Sequence, residues 1–271
     1  MLLIFFGDAR LSQISPGRIE DFKLSRTKAG AGHATINRNL AVLRRMMKLA
    51  ARQRLVGRSP FEEVDFLEEW SHRRQAHILT PEEQMKLEAV ATPLLRTLVV
   101  LLAETGLRVR REGLSLKWDD VDLEEEVLFV RQSKTLAGIR AMPLTKLCRT
   151  VMADWRRLTG PESSPYVFAN PNNLRVHLKS VRKTWTRALN NAKIVYFPIY
   201  NLRATFSSRL GAAGVPDVFI TQMLGHAGGL LETYSKAIPE YQRDAIRKLE
   251  AFRESANAAL ATNPARTTLI Q

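Results

Sequence analysis

The sequence predicts a mainly α-helical protein with one small antiparallel β-sheet, an α+β fold divided into two parts. Apolar residues recur at intervals of three and four along most of the chain, which is the spacing of an amphipathic helix. Around residues 127–144 the pattern changes to short β-type runs. The 271 residues, of which 45% are hydrophobic, are enough for two compact units. We expect these units at 1–64 and 80–258, with a linker at 65–79 and a flexible tail at 259–271.

The N-terminal part is predicted to contain two successive helices. Ser15 and Pro16 form a helix-start signal ahead of "IEDFKLSRT", and "KAGAGHAT" interrupts that helix. The second helix lies within "TINRNLAVLRRMMKLAARQRLVGRSP", and its apolar face is formed by Ile36, Leu40, Leu43, Met47 and Ala50. The opening "MLLIFF" is too short for a signal sequence or a membrane span, and we interpret it as the end of a helix whose beginning is missing.

The opposite face of this second helix carries basic side chains without a single acidic one. A solvated helix face usually interleaves Glu with Lys or Arg, because opposite charges one turn apart support each other. A row of one sign is more typical of a surface that lies along a nucleic-acid backbone. The residues that we expect to contact DNA are Arg38, Arg44, Arg45, Lys48 and Arg52.

The C-terminal part is predicted to begin at "LTPEEQMKL", where Thr80, Pro81 and Glu83 form a capped helix start. Helices are expected at "PLLRTLVVLLAETG" and "RREGLSLKW", followed by strands at 127–130 and 139–144. Helical patterns then resume at "TKLCRTVMADWRRL", "NLRVHLKSVRKTWTRALNNA", "NLRATFSSRLGAA", "VPDVFITQML" and "EYQRDAIRKLEAFRESA". This part is therefore expected to be mostly α with one short sheet.

The overall charge points to a polyanionic partner. Lys and Arg number 41 against 27 Asp and Glu, which gives a formal net charge of +14. Such a surface attracts phosphate backbones by Coulomb attraction and by release of their counterions. Cys148 is the only cysteine, which excludes an intrachain disulfide and a cysteine-based zinc cluster and fits a reducing cytoplasm.

Three separated stretches supply the residue types that phosphoryl transfer requires. They are "ETGLRVRREGLSLKWDDVDL" with Arg108, "SKTLAGIRAMPLT" with Lys134, and "YNLRATFSSRL" followed by "LGHAGGLLETY" with Arg203, His226 and Tyr234. Cationic donors can stabilise the nonbridging phosphate oxygens, an acid can protonate the leaving oxygen, and a side-chain hydroxyl can attack. This set of side chains needs no metal ion and no cofactor.

In the order and spacing of these motifs the chain resembles the tyrosine recombinases of the phage integrase family, from near residue 5 to near residue 250. The resemblance implies a small helical core-binding domain, whose first part we expect to be missing from this chain, and a catalytic domain. It also implies roles for single residues. Arg108 and Arg203 would grip the scissile phosphate, Lys134 would protonate the leaving 5′ oxygen, and His226 would donate a hydrogen bond to a nonbridging oxygen. Tyr234 would attack the phosphorus and form a 3′-phosphotyrosine.

Two positions depart from the family's pattern. Tyr200 stands where the family usually has histidine, three residues before the second arginine; a tyrosine there can donate a hydrogen bond to the phosphate but is a poor base at neutral pH. The segment from His226 to Tyr234 is about one residue shorter than the family's, with "AGG" where larger side chains are usual. A displaced nucleophile costs rate, because about 1 Å of misplacement can slow a reaction a hundredfold.

The resemblance implies double-stranded DNA with a specific recombination site as the partner, in the cytoplasm and without membrane contact. It also implies a homo-oligomer, a tetramer when two sites are joined, and leaves room for accessory DNA-bending proteins. The last predicted helix is amphipathic, and the resemblance implies that its apolar side docks on a neighbouring protomer. Two other functions stay open: a DNA-binding integrase remnant that no longer cuts, and a type IB topoisomerase that relaxes supercoils.

Some conspicuous residues are given no functional role. Arg110 and Arg111 are expected to be solvated or to lie near phosphates. Three further tyrosines compete with Tyr234 for the role of nucleophile, but none follows "LGH" at a suitable distance; they are Tyr166, Tyr196 and Tyr241. The run "DDVDLEEE" is interpreted as a solvated turn and not as a metal site, since adjacent acids on a turn and a strand point in diverging directions.

Overall fold

The computed structural model describes residues 1–70, 75–131, 138–225 and 240–262. Two compact units form, Met1–Gln75 and Ala76–Gln271. The helices and small antiparallel sheets confirm the predicted α+β class, while the finer domain limits of 1–64, 65–79 and 80–258 stay a prediction. Nowhere in the described ranges is a helix long and apolar enough to cross a bilayer.

The first unit is a small helical cluster built on α1 (Leu2–Phe6), α2 (Pro16–Lys28) and α3 (His33–Arg52). The predicted start of α2 is confirmed, because the Ser15 hydroxyl accepts a hydrogen bond from the N–H of Arg18 at 3.3 Å. A core of apolar side chains from all three helices holds the unit together: Phe6, Ile19, Phe22, Ile36, Leu40, Leu43 and Met47.

The buried side chain of Asn37 ties the end of this unit to α3. Its amide nitrogen donates to the carbonyl of Leu67 at 2.7 Å, and its oxygen accepts from the N–H of Leu67 at 2.9 Å. Phe66 and Leu67 then pack against the core of the unit. The residues just after 64 are therefore fixed to the helical cluster by hydrogen bonds as well as by packing.

The second unit contains seven helices within the residues described. They are α4 (Pro81–Val90), α5 (Pro93–Thr105), α6 (Lys146–Thr159), α7 (Arg182–Asn191), α8 (Asn201–Ala212), α9 (Asp217–Met223) and α10 (Glu240–Thr262). The predicted capping box at the start of α4 is present, with Thr80 and Glu83 each bonded to the other's backbone. Helix α5 is buried on nearly all sides from Leu95 to Thr105 and forms the centre of the unit.

A three-stranded antiparallel sheet follows α5 in the chain. Its strands are β1 (Val121–Asp122), β2 (Val127–Val130) and β3 (Arg140–Pro143), in spatial order β1-β2-β3. The register places Val130 opposite Arg140. Both predicted strands are thus confirmed, and the connection between β2 and β3, which carries Lys134, includes residues outside those described.

One predicted helix is wrong over its first half. The stretch "NLRVHLKS" forms strand β5 (Asn173–His177), which pairs with β4 (Ala169–Asn170) in a second small sheet. The intervening Pro171 and Asn172 provide a turn, and the N–H of Leu178 continues the contact by donating to the carbonyl of Phe168 at 2.8 Å. Alternation of Leu174 and Val176 with polar residues is the β-type signal that the helical interpretation overlooked.

Helix α10 packs on the second unit of its own chain. Ala245, Ile246 and Leu249 are buried in the core of that unit. Arg253 of α10 lies 3.2 Å from the carboxylate of Glu104, which is completely buried and also lies 3.6 Å from Arg209. The apolar side that we expected to dock on a neighbouring protomer is therefore largely covered within this chain, and the helix continues to Thr262.

Candidate functional site

The candidate site lies where the C-terminal end of α5 meets the C-terminal end of α9. Helix α5 ends at Gly106, which has a left-handed backbone with φ of +63°. A β-carbon at this position would lie 2.5 Å from the ring of Phe206 and 2.9 Å from Leu224. Only glycine therefore combines this backbone turn with such close packing, and the turn directs the following residues, Leu107 and Arg108, away from the helix axis.

The segment after Arg108 is a single π-helical turn and not the regular helix predicted for "RREGLSLKW". The turn spans Val109–Gly113. Its hydrogen bonds join residues five apart, where those of an α-helix join residues four apart. The N–H of Gly113 donates to the carbonyl of Arg108, and the N–H of Leu114 donates to the carbonyl of Val109. Such turns are rare and frequently occur at functional sites. Its consequence here is that the carboxylate of Glu112 turns back towards Arg108.

Glu112 is the anionic centre of the site. Its side chain is only 1% exposed, and it accepts hydrogen bonds from the Arg108 N–H at 2.9 Å and from the Arg108 guanidinium at 2.5 Å. Arg140 of β3 donates to the same carboxylate at 3.2 Å. Burial acts to raise the pKa of Glu112, but the charge of Arg140 and the hydrogen bonds from both arginines lower it below its ordinary value. Glu112 is therefore ionised at neutral pH.

Arg203, on the first turn of α8, is buried and held by main-chain carbonyls. Its guanidinium donates to Gly106 at 2.6 Å and to Leu224, so it joins the ends of α5 and α9. Helix C-terminal ends carry unpaired carbonyls and partial negative charge, which favours a cation at this place. Burial and the positive charges of Arg108 and Arg140 lower the pKa of Arg203 to about 10, so it stays charged at neutral pH.

Arg108 is the most exposed of these three arginines. Its side chain is 27% exposed, and its second terminal nitrogen donates to the carbonyl of Gly225 at 3.3 Å. Three guanidinium groups thus converge with one carboxylate among the described residues, which leaves an excess of positive charge. An arginine fork with an open edge beside a second, buried arginine is suited to bind an oxyanion.

Tyr200 lies at the edge of this cluster. It immediately precedes α8, and its side chain is more than half exposed at 56%. Its proximity to Arg203 is reflected in its effect on that residue's pKa, which it acts to raise. An exposed phenol beside the arginines fits the expected role as a hydrogen-bond donor to a bound anion.

Three predicted catalytic residues, Lys134, His226 and Tyr234, lie outside the described residues. Of the rival tyrosines, Tyr241 stacks on Phe219 at 4.3 Å and Tyr166 lies beneath Lys117, which indicates packing roles for both. Two residues of the site, Glu112 and Arg140, were missed by the sequence analysis. A carboxylate four residues after the first arginine is a usable sequence signal for Glu112, whereas burial of an arginine on a strand leaves no such signal.

The basic residues predicted to contact DNA lie on the outer side of α3. Four of them follow one another at intervals of seven, three and four residues, so they share one exposed stripe: Arg38, Arg45, Lys48 and Arg52. Arg44 differs, because its guanidinium lies 4.7 Å from the ring centre of Phe66. None of the five forms an ion pair with a described acidic residue, which leaves their charge available to an outside partner.

The second unit is thus an α+β fold in which a central helix, a hairpin strand and two helix ends hold a cluster of arginines suited to bind an anion. Comparison with known proteins makes this class specific, because residues 77–230 match the model of the phage integrase family. The chain belongs to that family. Tyrosine recombinase XerA of Thermococcus kodakarensis is 32% identical over 177 residues, which are 63% of this chain and 61% of the relative.

Solved structures show the same fold. The integrase of transposon Tn1549, in complex with a circular intermediate DNA, superposes with a TM-score of 0.69 at 18% identity, over 88% of this chain and 86% of that one. A lambda integrase tetramer bound to a Holliday junction gives 0.67 at 20% identity, over 88% and 71%. The chain spans 52–62% of the lengths of the first four curated relatives that it matches.

Proposed function

We propose that this protein cuts and rejoins DNA at a specific site through a 3′-phosphotyrosine intermediate. The observation that carries the proposal is the convergence of Arg108 and Arg203, from different parts of the chain, in one cluster of side chains in which positive charge exceeds negative charge. A phosphodiester is the anion that suits this cluster, since guanidinium forks match its two nonbridging oxygens. The family, and the DNA in the solved integrase structures, support the same partner.

In the proposed reaction the hydroxyl oxygen of Tyr234 attacks the scissile phosphorus while the bond to the 5′ oxygen breaks. Lys134 gives a proton to that leaving oxygen, so a free 5′-hydroxyl results. Because Tyr200 is a phenol and a poor base at neutral pH, we assign the proton of Tyr234 to solvent. Attack by another strand's 5′-hydroxyl on the phosphotyrosine reverses these steps and rejoins the DNA without an external energy source.

Arg108, Arg203 and His226 act on the charge that develops on the nonbridging oxygens. Two main-chain carbonyls hold the guanidinium of Arg203 in place. The side chain therefore needs little reorganisation when the transition state forms. Arg108 keeps an exposed edge, and His226 directly follows Gly225, whose carbonyl accepts from Arg108. These charges supply the stabilisation that a divalent cation provides in other phosphoryl-transfer enzymes.

The wider proposal is a clamp on duplex DNA. The exposed stripe of α3 in the first unit would bind phosphates, while the arginine cluster of the second unit would bind the scissile phosphate. Recombination requires several protomers on the DNA, and we propose a tetramer when two sites are joined, consistent with the assembly of lambda integrase. The reaction would take place in the cytoplasm, with accessory DNA-bending proteins as additional partners.

The test is covalent capture on a duplex that carries a nick near the crossover point. Duplexes drawn from the sequences that flank the gene are labelled, incubated with the protein, and separated under denaturing conditions to reveal protein–DNA adducts. We expect an adduct with the unmodified protein and with Tyr241→Phe, the control in which a packed phenol is altered. Tyr234→Phe should form none.

Other results would favour the other functions. Tight binding of a flanking duplex without any adduct would refute the cleavage proposal and indicate a DNA-binding remnant. Adducts together with relaxation of supercoiled plasmid by a protein that stays monomeric, and without recombinant products, would indicate a topoisomerase. An adduct that persists in Tyr234→Phe would mean that the nucleophile is wrongly assigned.

A further inference from the structure

Arg140 is a buried arginine to which the proposed reaction gives no role. It begins β3, and only 5% of its side chain is exposed. Its guanidinium donates in three directions: to the carbonyl of Met223 at 2.7 Å, to that of Gly138 at 2.9 Å, and to the carboxylate of Glu112 at 3.2 Å. One side chain therefore joins the hairpin strand, the end of α9 and the π-helical turn.

Glu112 connects Arg140 to Arg108. One carboxylate oxygen, Oε1, accepts from the guanidinium of Arg108, while the other, Oε2, is shared between the main-chain N–H of Arg108 and Arg140. Arg140 thus binds Oε2, the oxygen that also holds the main-chain N–H of Arg108. Oε1 is left for the guanidinium of Arg108. Without Arg140, a carboxylate that is 1% exposed would depend more heavily on Arg108 for its compensating charge.

The same side chain also fixes the end of α9. Met223 is the last residue of that helix, and its carbonyl accepts from Arg140, while the next two carbonyls, those of Leu224 and Gly225, accept from Arg203 and Arg108. Three successive carbonyls are therefore held by the three arginines. Displacement of the Met223 carbonyl would disturb the next two carbonyls, which hold Arg203 and Arg108, the two arginines proposed to bind the phosphate.

Arg140 is engaged within the chain through all of its guanidinium nitrogens. The side chain is almost fully buried, and its Nε and both terminal nitrogens already donate to acceptors of the chain. We therefore assign Arg140 an indirect role in the reaction, through the groups that it holds. Burial lowers the pKa of Arg140, but the charge of Glu112 opposes this effect, which is consistent with a permanent ion pair.

We propose that Arg140 is a positioning residue, which holds Arg108 in its phosphate-binding orientation through their shared carboxylate Glu112 and through the end of α9. The inference rests on the proposed DNA cleavage for its kinetic consequence, though not for its structural one. It predicts that loss of Arg140 weakens the grip on the negatively charged oxygens of the scissile phosphate and leaves binding of the surrounding DNA almost unchanged.

The kinetic test compares two substrates in single-turnover cleavage of the nicked duplex. One has an ordinary scissile phosphate, and the other has a methylphosphonate there, which lacks one anionic oxygen and so depends less on Arg108. With Arg140→Met we expect cleavage of the ordinary substrate to be about 10- to 100-fold slower, with duplex affinity within about twofold. On the methylphosphonate substrate, Arg140→Met should be slower than the unmodified protein by about threefold or less. Arg108→Ala should likewise lose less rate on the methylphosphonate than on the ordinary substrate.

Arg209→Met is the matched control, because Arg209 is also a buried arginine but contacts Glu104, Gln84 and the carbonyl of Leu79. Any deficit caused by this substitution should be equal on both substrates. Arg140→Lys keeps the charge but cannot reach three acceptors, so it should resemble Arg140→Met. Equal deficits of Arg140→Met on both substrates, or no deficit at all, would overturn the inference.

A second measurement separates this inference from the proposed function. In protein labelled with nitrogen-15 arginine, the guanidinium signal of Arg108 is identified by its loss in Arg108→Lys. We expect that signal to shift or broaden in Arg140→Met and to stay in place in Arg209→Met. An unchanged Arg108 signal in Arg140→Met would refute the positioning role even if the protein cleaves DNA. A shifted signal in a protein that forms no adduct would support it while the cleavage proposal fails.

Discussion

Gly106 contributes both to the packing of the second unit and to the position of Arg203, so Gly106→Ala should lower both stability and DNA cleavage. The residue ends α5 in a left-handed conformation, and its carbonyl accepts from Arg203 at 2.6 Å. A new β-carbon would lie 2.5 Å from Phe206 and 2.9 Å from Leu224, both closer than carbon atoms approach in folded proteins. Neighbouring side chains must therefore move, and the carbonyl that holds Arg203 moves with them.

The magnitude follows from two separate costs. A left-handed backbone costs a residue other than glycine about 1–2 kcal/mol, and overpacking a well-filled core costs about 1–3 kcal/mol. The free energy of unfolding should thus fall by roughly 2–5 kcal/mol. For a unit of this size the melting temperature should fall on the order of 10 °C. Cleavage should slow by about a hundredfold, because a shift of Arg203 near 1 Å is enough.

Two other glycines serve as controls in the same urea and thermal unfolding measurements. Gly214 has φ of +75° but open space around it, so Gly214→Ala should show the backbone cost alone. Gly211 lies within α8 and also has open space, so Gly211→Ala should be neutral or stabilising by about 0.5–1 kcal/mol. If Gly106→Ala loses no more stability than Gly214→Ala, the reasoning from close packing is wrong.

Three further predictions concern charge. The folded-state pKa of Glu112 lies below its ordinary 4.5, so the stability that its ionised form contributes is complete above pH 4.5 and is lost as the pH falls through the folded-state value. Glu112→Gln should consequently show a smaller loss of unfolding free energy than the unmodified protein between pH 5 and pH 3, and an equal loss would contradict this. Arg253→Met should lower the free energy of unfolding in urea by about 1–3 kcal/mol, because it removes one of the two arginines beside the buried Glu104 and leaves the other. Arg247→Met, in a solvent-exposed ion pair, should have no measurable effect and is the comparison. Replacement of two exposed basic residues on α3 by alanine should lower the slope of log affinity for DNA against log salt by nearly two, and an unchanged slope would remove α3 from the DNA interface.

Local signals were sufficient for much of the fold. Proline after a capping residue predicted the starts of α2 and α4, and the three-and-four spacing from Ile36 to Ala50 predicted the buried side of α3. The error at β5 arose because "NLRVH" has both helical and alternating features, and pairing with β4 decided between them. Packing against another segment is information that a short window of sequence does not contain.

The site was predictable only in part. Arg108 and Arg203 were found from their motifs, and the structure places both at the junction of α5 and α9. The π-helical turn, which brings Glu112 back towards Arg108, was not foreseen from the local spacing of residues. Arg140 was missed for a related reason: its three acceptors come from distant parts of the chain, so its burial follows from the tertiary structure alone.

The measurement that we would make first identifies the tyrosine that carries DNA. The covalent adduct on the nicked duplex is digested with protease and nuclease, and mass spectrometry locates the remaining nucleotide among the five tyrosines. We expect it on Tyr234 alone, attached through the 3′-phosphate of the cut strand. A nucleotide on the exposed Tyr200, or attachment through a 5′-phosphate, would contradict the proposed mechanism; tightly bound DNA with all five tyrosines unmodified would contradict cleavage itself.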